Sequence, residues 1–132
     1  MITIQRVHHI GIRVSDRERA IAFYRHFGFE PFFEDADDPV VIARNDQGVE
    51  LNFILNADHG NQGHNVLMDE ANKFAGYTHV ALEVASIEDT VAALGELGIA
   101  ITEGPVRLGP GVSLFVRDPD GTVIELRQDV EG

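Results

Sequence analysis

Four residues stand out for the chemistry their types allow: His9, Glu50, His79 and Glu125. Imidazole nitrogens and carboxylate oxygens together form a donor set for a hard or borderline divalent cation. Glu50 and Glu125 are thus candidate metal ligands beside the two histidines. The chain has no cysteine, which excludes thiolate catalysis, disulfide bridges and sulfur-rich metal sites. Any metal must therefore be held by nitrogen and oxygen, which suits nickel, zinc, cobalt, manganese or iron without selecting among them.

The four residues recur because the chain repeats. His9-Ile10-Gly11-Ile12-Arg13-Val14 aligns without a gap on His79-Val80-Ala81-Leu82-Glu83-Val84, a shift of seventy positions. At the same shift Ile21 falls on Val91, Tyr24 on Leu94, Phe27 on Leu97 and Gly28 on Gly98, apolar positions spaced as one buried helix face requires. Ser15 or Asp16 can cap the first helix and Ser86 the second, while Gly28 and Gly98 stand where a left-handed residue closes a helix. Further strands are predicted near 30–34, 39–44 and 48–56, and again near 100–107, 111–117 and 121–129. Asp118-Pro119-Asp120-Gly121 suits a tight turn, and Asp46-Gln47-Gly48 plays a similar part in the first half.

The expected fold is thus α+β: two βαβββ modules, residues 6–56 and 77–129, forming curved mixed sheets around a concave metal site. They make one domain over residues 1–132, with 57–76 as a linker too long for a simple turn. Part of that linker, Val66-Leu67-Met68 and Phe74, is expected to pack down.

Strand alternation decides which side chains share a face. Ile10, Ile12 and Val14 should meet the first helix, leaving His9, Gly11 and Arg13 on the other side. In the strand at 48–56 Val49, Leu51 and Phe53 face the helix, so Glu50, Asn52, Ile54 and Asn56 join His9. The second half repeats this, with Glu125 and Arg127 opposite Ile124 and Leu126 and on the side of His79. If the two non-helix faces come together, two imidazoles and two carboxylates converge on one cation. Arg13 and Asn52 lie on the same face. By the same parity His8 should point away from the set, His59 and His64 fall in the glycine-rich linker, and His26 lies on an exposed part of the first helix.

Composition bounds the partners. The net charge is −12, from 10 basic and 22 acidic residues, which repels nucleic acid and anionic membrane surfaces. Glu34, Asp35, Asp37 and Asp38 form an acidic run expected to be a solvated loop. Hydrophobic residues are 44% and charged residues 24% of the chain, an ordinary globular balance. No stretch has the length of a membrane span or the apolar block of a signal peptide, so a cytoplasmic protein is expected.

His9-Ile-Gly-Ile-Arg-Val with Ala20-Ile-Ala-Phe-Tyr24, Val49-Glu50-Leu51, His79-Val-Ala-Leu-Glu-Val and Asp118-Pro-Asp-Gly-Thr-Val-Ile-Glu125-Leu resemble the vicinal oxygen chelate family. That family includes glyoxalase I, methylmalonyl-CoA epimerase, extradiol dioxygenases, and fosfomycin and bleomycin resistance proteins. Carrying both ligands in both halves is most similar to glyoxalase I-like members. The resemblance implies a lyase or isomerase of the lactoylglutathione lyase kind, which acts on a small α-oxygenated carbonyl substrate through a metal-stabilised enediolate. Glu125 would be the proton-transferring base, with Glu50 as ligand or partner. Arg13 matches the arginine that glyoxalase I uses for the glutathione γ-glutamyl carboxylate, and it and Asn52 would be substrate contacts. The substrate would be a small molecule, including a glutathione or other thiol adduct, and the assembly a homodimer. The alternatives are an iron(II) extradiol-type dioxygenase, in which Glu50 would crowd the open positions, and a non-catalytic resistance module that sequesters a small molecule. Ile54 stands where glyoxalase I has an asparagine, and Gly11 where fosfomycin-thiol transferases have a threonine.

Overall fold

The computed structural model describes residues 1–34, 37–58, 64–65, 67–73 and 75–130. The chain divides into two units, Met1–Gly60 and Asn61–Gly132, each built on the same plan.

In the first unit β1 (Ile10–Arg13) leads into α1 (Arg17–Arg25), and β2 (Glu30–Glu34), β3 (Val40–Arg44) and β4 (Glu50–Ile54) follow. The sheet order is β1-β4-β3-β2, with β1 parallel to β4 and the other pairs antiparallel. The second unit repeats it with β5 (Val80–Glu83), α2 (Ile87–Leu97), β6 (Glu103–Leu108), β7 (Gly111–Arg117) and β8 (Val123–Asp129), in the order β5-β8-β7-β6. A parallel pair needs a long crossover, and in each unit the helix and two strands supply it. The predicted βαβββ modules are therefore present.

The local signals act as their chemistry predicts. Asp16 caps α1 through its carboxylate on the Arg19 amide at 2.9 Å, and Ser86 caps α2 through its hydroxyl on the Asp89 amide at 3.1 Å. Both helices close alike: Phe29 N–H donates to Tyr24 C=O at 3.1 Å and Ile99 N–H to Leu94 C=O at 3.0 Å, past Gly28 and Gly98 at φ of 87° and 71°. Both final hairpins turn on a side-chain acceptor. Asp118 Oδ1 takes the amides of Asp120 and Thr122 at 2.9 Å, and Asn45 Oδ1 takes that of Val49 at 2.8 Å.

Alternation separates two faces in each sheet. Ile12, Val41, Ala43, Leu51 and Phe53 are buried on the face that meets Ala20, Ile21 and Tyr24 of α1, with the Tyr24 and Phe53 rings 5.1 Å apart. In the second unit Leu114, Val116, Ile124 and Leu126 are buried, as are Ile87 and Leu94 of α2, which packs on β7 and β8. Gln128 ties that helix to its sheet by accepting the Ile87 amide at 2.8 Å.

Within the expected linker Leu67 and Met68 are half-buried. Asp69 makes a two-point ion pair with Arg117 of β7 at 2.6 and 2.9 Å, and His64 Nδ1 lies 2.9 Å from Glu70. Val66, Phe74 and His59 lie outside the described residues, as does Asp35 of the acidic run. Glu34 of that run, exposed as expected, pairs with Arg17 at 2.9 Å. Among the described residues no helix is long and apolar enough to cross a membrane.

Candidate functional site

The register puts the candidates where alternation requires. In the first unit Ile10 pairs with Leu51 and Gly11 with Asn52, so His9, one residue before the ladder, falls beside Glu50. In the second unit Val80 pairs with Ile124 and Ala81 with Glu125, and His79 again precedes the ladder by one residue.

In the first unit Glu50 is 9% exposed, and its two oxygens have different company. Oε1 accepts from Arg44 Nε at 2.9 Å, while Oε2 lies 4.0 Å from His9 Nδ1. His8 Nδ1 lies 3.9 Å from the same Oε2 and 2.8 Å from His9 Nδ1. This corrects the expectation that His8 turns away. The ladder begins at Ile10, and residues before it are not bound to strict alternation. A cavity of about 300 Å³ adjoins, lined by Arg6, His8, Arg44, Gly48 and Glu50. The Arg44 guanidinium lies over the Phe32 ring at 4.1 Å, a cation–π contact that helps hold it in place.

Asn52, on the same face, has a buried Oδ1 that is the one such side-chain atom without a hydrogen-bond partner among the described residues. A buried acceptor left unpaired is costly and marks a point where a ligand's donor would be favoured. Arg13 lies on this face and donates from Nε to Asn56 Oδ1 at 3.0 Å.

In the second unit the carboxylate is tied at both oxygens. Glu125 is 8% exposed; its Oε1 lies 2.9 Å from His79 Nε2, and its Oε2 accepts from the Ser113 hydroxyl at 2.6 Å. Ser113, fully buried, accepts in turn from Arg127 Nη1 at 3.1 Å. Arg127 is held by Asp129 at 3.0 Å and the Leu108 carbonyl at 2.7 Å. Burial pushes the Glu125 carboxyl up, but the bonds from Ser113 and His79, with the Arg127 charge, together hold it below the usual carboxylate range. Glu125 is therefore an anion in neutral water, able to bind a cation.

Each unit thus brings one sequence-predicted histidine to one sequence-predicted glutamate, and imidazole with carboxylate fits a divalent cation of nitrogen and oxygen preference. Sequence reasoning missed Ser113, Arg44 and His8. The first two could have been found by counting the final hairpins outward from their turns, which sets Arg44 opposite Glu50 and Ser113 opposite Arg127.

The sequence matches the family described as Glyoxalase/Bleomycin resistance protein/Dioxygenase superfamily over residues 6–126. It is 30% identical over 133 residues to the mitochondrial methylmalonyl-CoA epimerase of Bos taurus, covering 93% of this chain and 74% of that protein. It is 29% identical to a probable lactoylglutathione lyase of Vibrio cholerae, covering 94% of this chain and 91% of that one. Among solved structures, a glyoxalase/dioxygenase from Nostoc punctiforme superposes with a TM-score of 0.73 at 26% identity, over 96% of this chain and 92% of that chain.

Proposed function

The chain belongs to the Glyoxalase/Bleomycin resistance protein/Dioxygenase superfamily, and on that premise we propose that it is a divalent-metal-dependent lyase or isomerase of glyoxalase I type. Its substrate is a small α-oxygenated carbonyl compound, including thiol adducts such as that of glutathione. The modules 6–56 and 77–129, joined by 57–76, act as one domain in which His9, Glu50, His79 and Glu125 hold one cation.

One observation carries this proposal. Each module brings the histidine just ahead of its first strand to a glutamate of its last strand, on the face away from the helix: His9 with Glu50 at 4.0 Å, level with it across the ladder, and His79 with Glu125 at 2.9 Å, opposite Ala81 and two residues further along. Isolated acidic residues on strands are ordinary, but a histidine–glutamate pair in each of two modules is what a shared ligand set would leave.

A divalent cation bound there supplies Lewis-acid polarisation of the substrate's neighbouring oxygens, which acidifies the adjacent C–H. Glu125 takes that proton and returns it. It suits the role because it is anionic at neutral pH and because Ser113 and Arg127 fix Oε2, so the carboxylate moves little between accepting and donating. Glu50 is held at Oε1 by Arg44 and acts as ligand. Asn52 Oδ1 accepts a hydrogen bond from the substrate, and Arg13 offers its guanidinium to an anionic arm.

The experiment is a substrate and metal matrix. Purified protein is stripped of metal, loaded singly with nickel, cobalt, zinc or manganese, and offered the hemithioacetal of methylglyoxal with glutathione and, separately, methylmalonyl-CoA. Turnover abolished by Glu125→Gln is the expected outcome. No turnover of either substrate with any metal, against oxygen uptake with a catechol and iron(II), refutes the proposal in favour of a dioxygenase.

A further inference from the structure

We propose that the cavity of the first module is a carboxylate-binding subsite, in which Arg44 and Arg6 hold a carboxylate group of the substrate. The proposal rests on the reading above only in taking the ligand to be the substrate, and this carboxylate is distinct from the anionic arm offered to Arg13.

The charge of the cavity runs against that of the chain. The chain has 10 basic and 22 acidic residues, yet the lining of this space of about 300 Å³ sets two guanidinium groups, those of Arg6 and Arg44, against one carboxylate, that of Glu50. Both arginines keep donors to spare. Arg44 gives Nε to Glu50 Oε1 at 2.9 Å, and among the described residues neither of its Nη atoms has a hydrogen-bond partner. Arg6 makes one long contact, from Nη1 to the Val7 carbonyl at 3.4 Å. Gly48 adds no side chain to the wall, and the space beside its backbone is open.

The Arg44 guanidinium is also held in one plane. Glu50 fixes its Nε edge and it lies over the Phe32 ring at 4.1 Å, so a ligand has little left to order. What remains free is the pair of Nη atoms, the fork that meets the two oxygens of a carboxylate.

In the second module that fork is in use. Arg44 stands opposite Glu50, and Glu50 comes one residue ahead of Leu51, the partner of Ile10. Arg117 stands opposite Val123, which comes one residue ahead of Ile124, the partner of Val80. The two arginines therefore hold the same place in the repeat. Arg117 Nη1 and Nη2 donate to the two carboxylate oxygens of Asp69 at 2.6 and 2.9 Å. The second module thus fills from its own chain, with a carboxylate, the position that the first leaves to a ligand. Glu50 ties the subsite to the chemistry, since its Oε1 accepts from Arg44 while its Oε2 lies 4.0 Å from His9 Nδ1. A ligand anchored on Arg44 has its acid group beside the histidine–glutamate face, so the substrate is a small carboxylic acid whose reacting oxygens lie close to that group.

The test titrates full-length protein, stripped of metal and freed of chelator, with succinate, followed by calorimetry and by backbone amide shifts in two-dimensional NMR. Succinamide and inorganic phosphate are the comparison probes. One succinate is expected to bind per chain and to shift the amides of residues 6–8 and 44–50, while succinamide does not bind. Arg44→Gln should weaken succinate binding at least about tenfold, and Arg44→Lys, which keeps the charge without the two-point fork, at least about threefold, with circular dichroism unchanged. Arg6→Gln should weaken it by about two- to fivefold, as loss of a flanking cation does. No binding of succinate by the unmodified chain, a folded Arg44→Gln variant that binds it equally well, or a loss that follows Arg13→Gln and not Arg44→Gln overturns the proposal. Phosphate bound more tightly than succinate overturns the assignment to carboxylates. No cation takes part in this titration, so a failure here leaves metal-dependent turnover to its own assay, and a failure of turnover leaves this subsite standing.

Discussion

Ser113→Ala removes one oxygen from the interior and should cost far more than its size. The hydroxyl donates at 2.6 Å to Glu125 Oε2 and accepts from Arg127 at 3.1 Å, and Ser113 is fully buried. A hydrogen bond to a charged group contributes about 1.5–3 kcal/mol, and the carboxylate left behind, 11% exposed at the side chain, has little water to replace it. A loss of about 2 kcal/mol at neutral pH follows. Unfolding entropy of roughly 2.1 cal/mol/K per residue over 132 residues converts this to a fall in Tm of about 7 °C, and to roughly twice that if the second unit melts alone. The assay is thermal melting with a chelator present, so that no cation engages Glu125. The pH dependence separates the bond from mere loss of volume. Glu125 is held below the usual carboxylate range, so its contribution is present above that range and disappears as pH falls through its lowered folded value. The gap between variant and unmodified chain should close in acid. A gap under about 1 °C at neutral pH, or one that persists undiminished in acid, would falsify the account of Glu125 as a buried anion held by Ser113.

Three further perturbations test other parts of the fold. Asp69 is held at about pKa 2, chiefly by the Arg117 bond and then by the Asn65 amide, below its ordinary 3.8. Its contribution is complete above that ordinary value and lost as pH falls through about 2, so Asp69→Asn should lower Tm near neutrality and match the unmodified chain in strong acid; a pH-independent gap would count against the ion pair. Tyr24→Ala empties a site 1% exposed between the Phe53 and Phe29 rings and should cost about 3–5 kcal/mol by urea unfolding, a near-neutral result contradicting the assigned core. Gly104 has φ of 88° and a Cβ there would lie 2.7 Å from the Ser113 carbonyl oxygen, so Gly104→Ala should cost more than about 1–2 kcal/mol; stability equal to the unmodified chain would show the β6–β7 approach to be looser than described.

The fold was legible in the sequence wherever a local signal and the repeat agreed. Helix caps at Asp16 and Ser86, left-handed glycines at 28 and 98 and turns at 46–48 and 118–121 are each short-range chemistry, and the seventy-residue shift let one half check the other. Strand parity was enough to set His9 beside Glu50 and His79 beside Glu125, because those pairs lie on neighbouring strands whose faces alternate in step. The failure at His8 has the same physical origin as the success. Alternation is imposed by the hydrogen-bonded ladder, which starts two residues later, so parity extended beyond Ile10 had no force behind it. Ser113 escaped notice because a lone serine among Val112, Leu114 and Phe115 looks like a concession to alternation, and only the register exposes it as the partner of Glu125.

The register also gives the two carboxylates different neighbours. The residue opposite Glu50 across the antiparallel pair is Arg44, and the one opposite Glu125 is Phe115; two residues further along, Ile42 faces Asn52 where Ser113 faces Arg127. The first module thus sets a cation against one carboxylate oxygen and leaves the other facing two imidazoles. The second sets an aromatic ring beside its histidine, at 6.0 Å between centroids, and satisfies both carboxylate oxygens from hydroxyl and imidazole. A carboxylate with an open oxygen is suited to ligation, whereas one fixed at both oxygens and kept anionic by buried donors is suited to moving a proton with little reorganisation. The two carboxylates stand on different rungs, Glu125 level with the position of Asn52, and their cross-strand neighbours would separate the proposed role of Glu50 from that of Glu125.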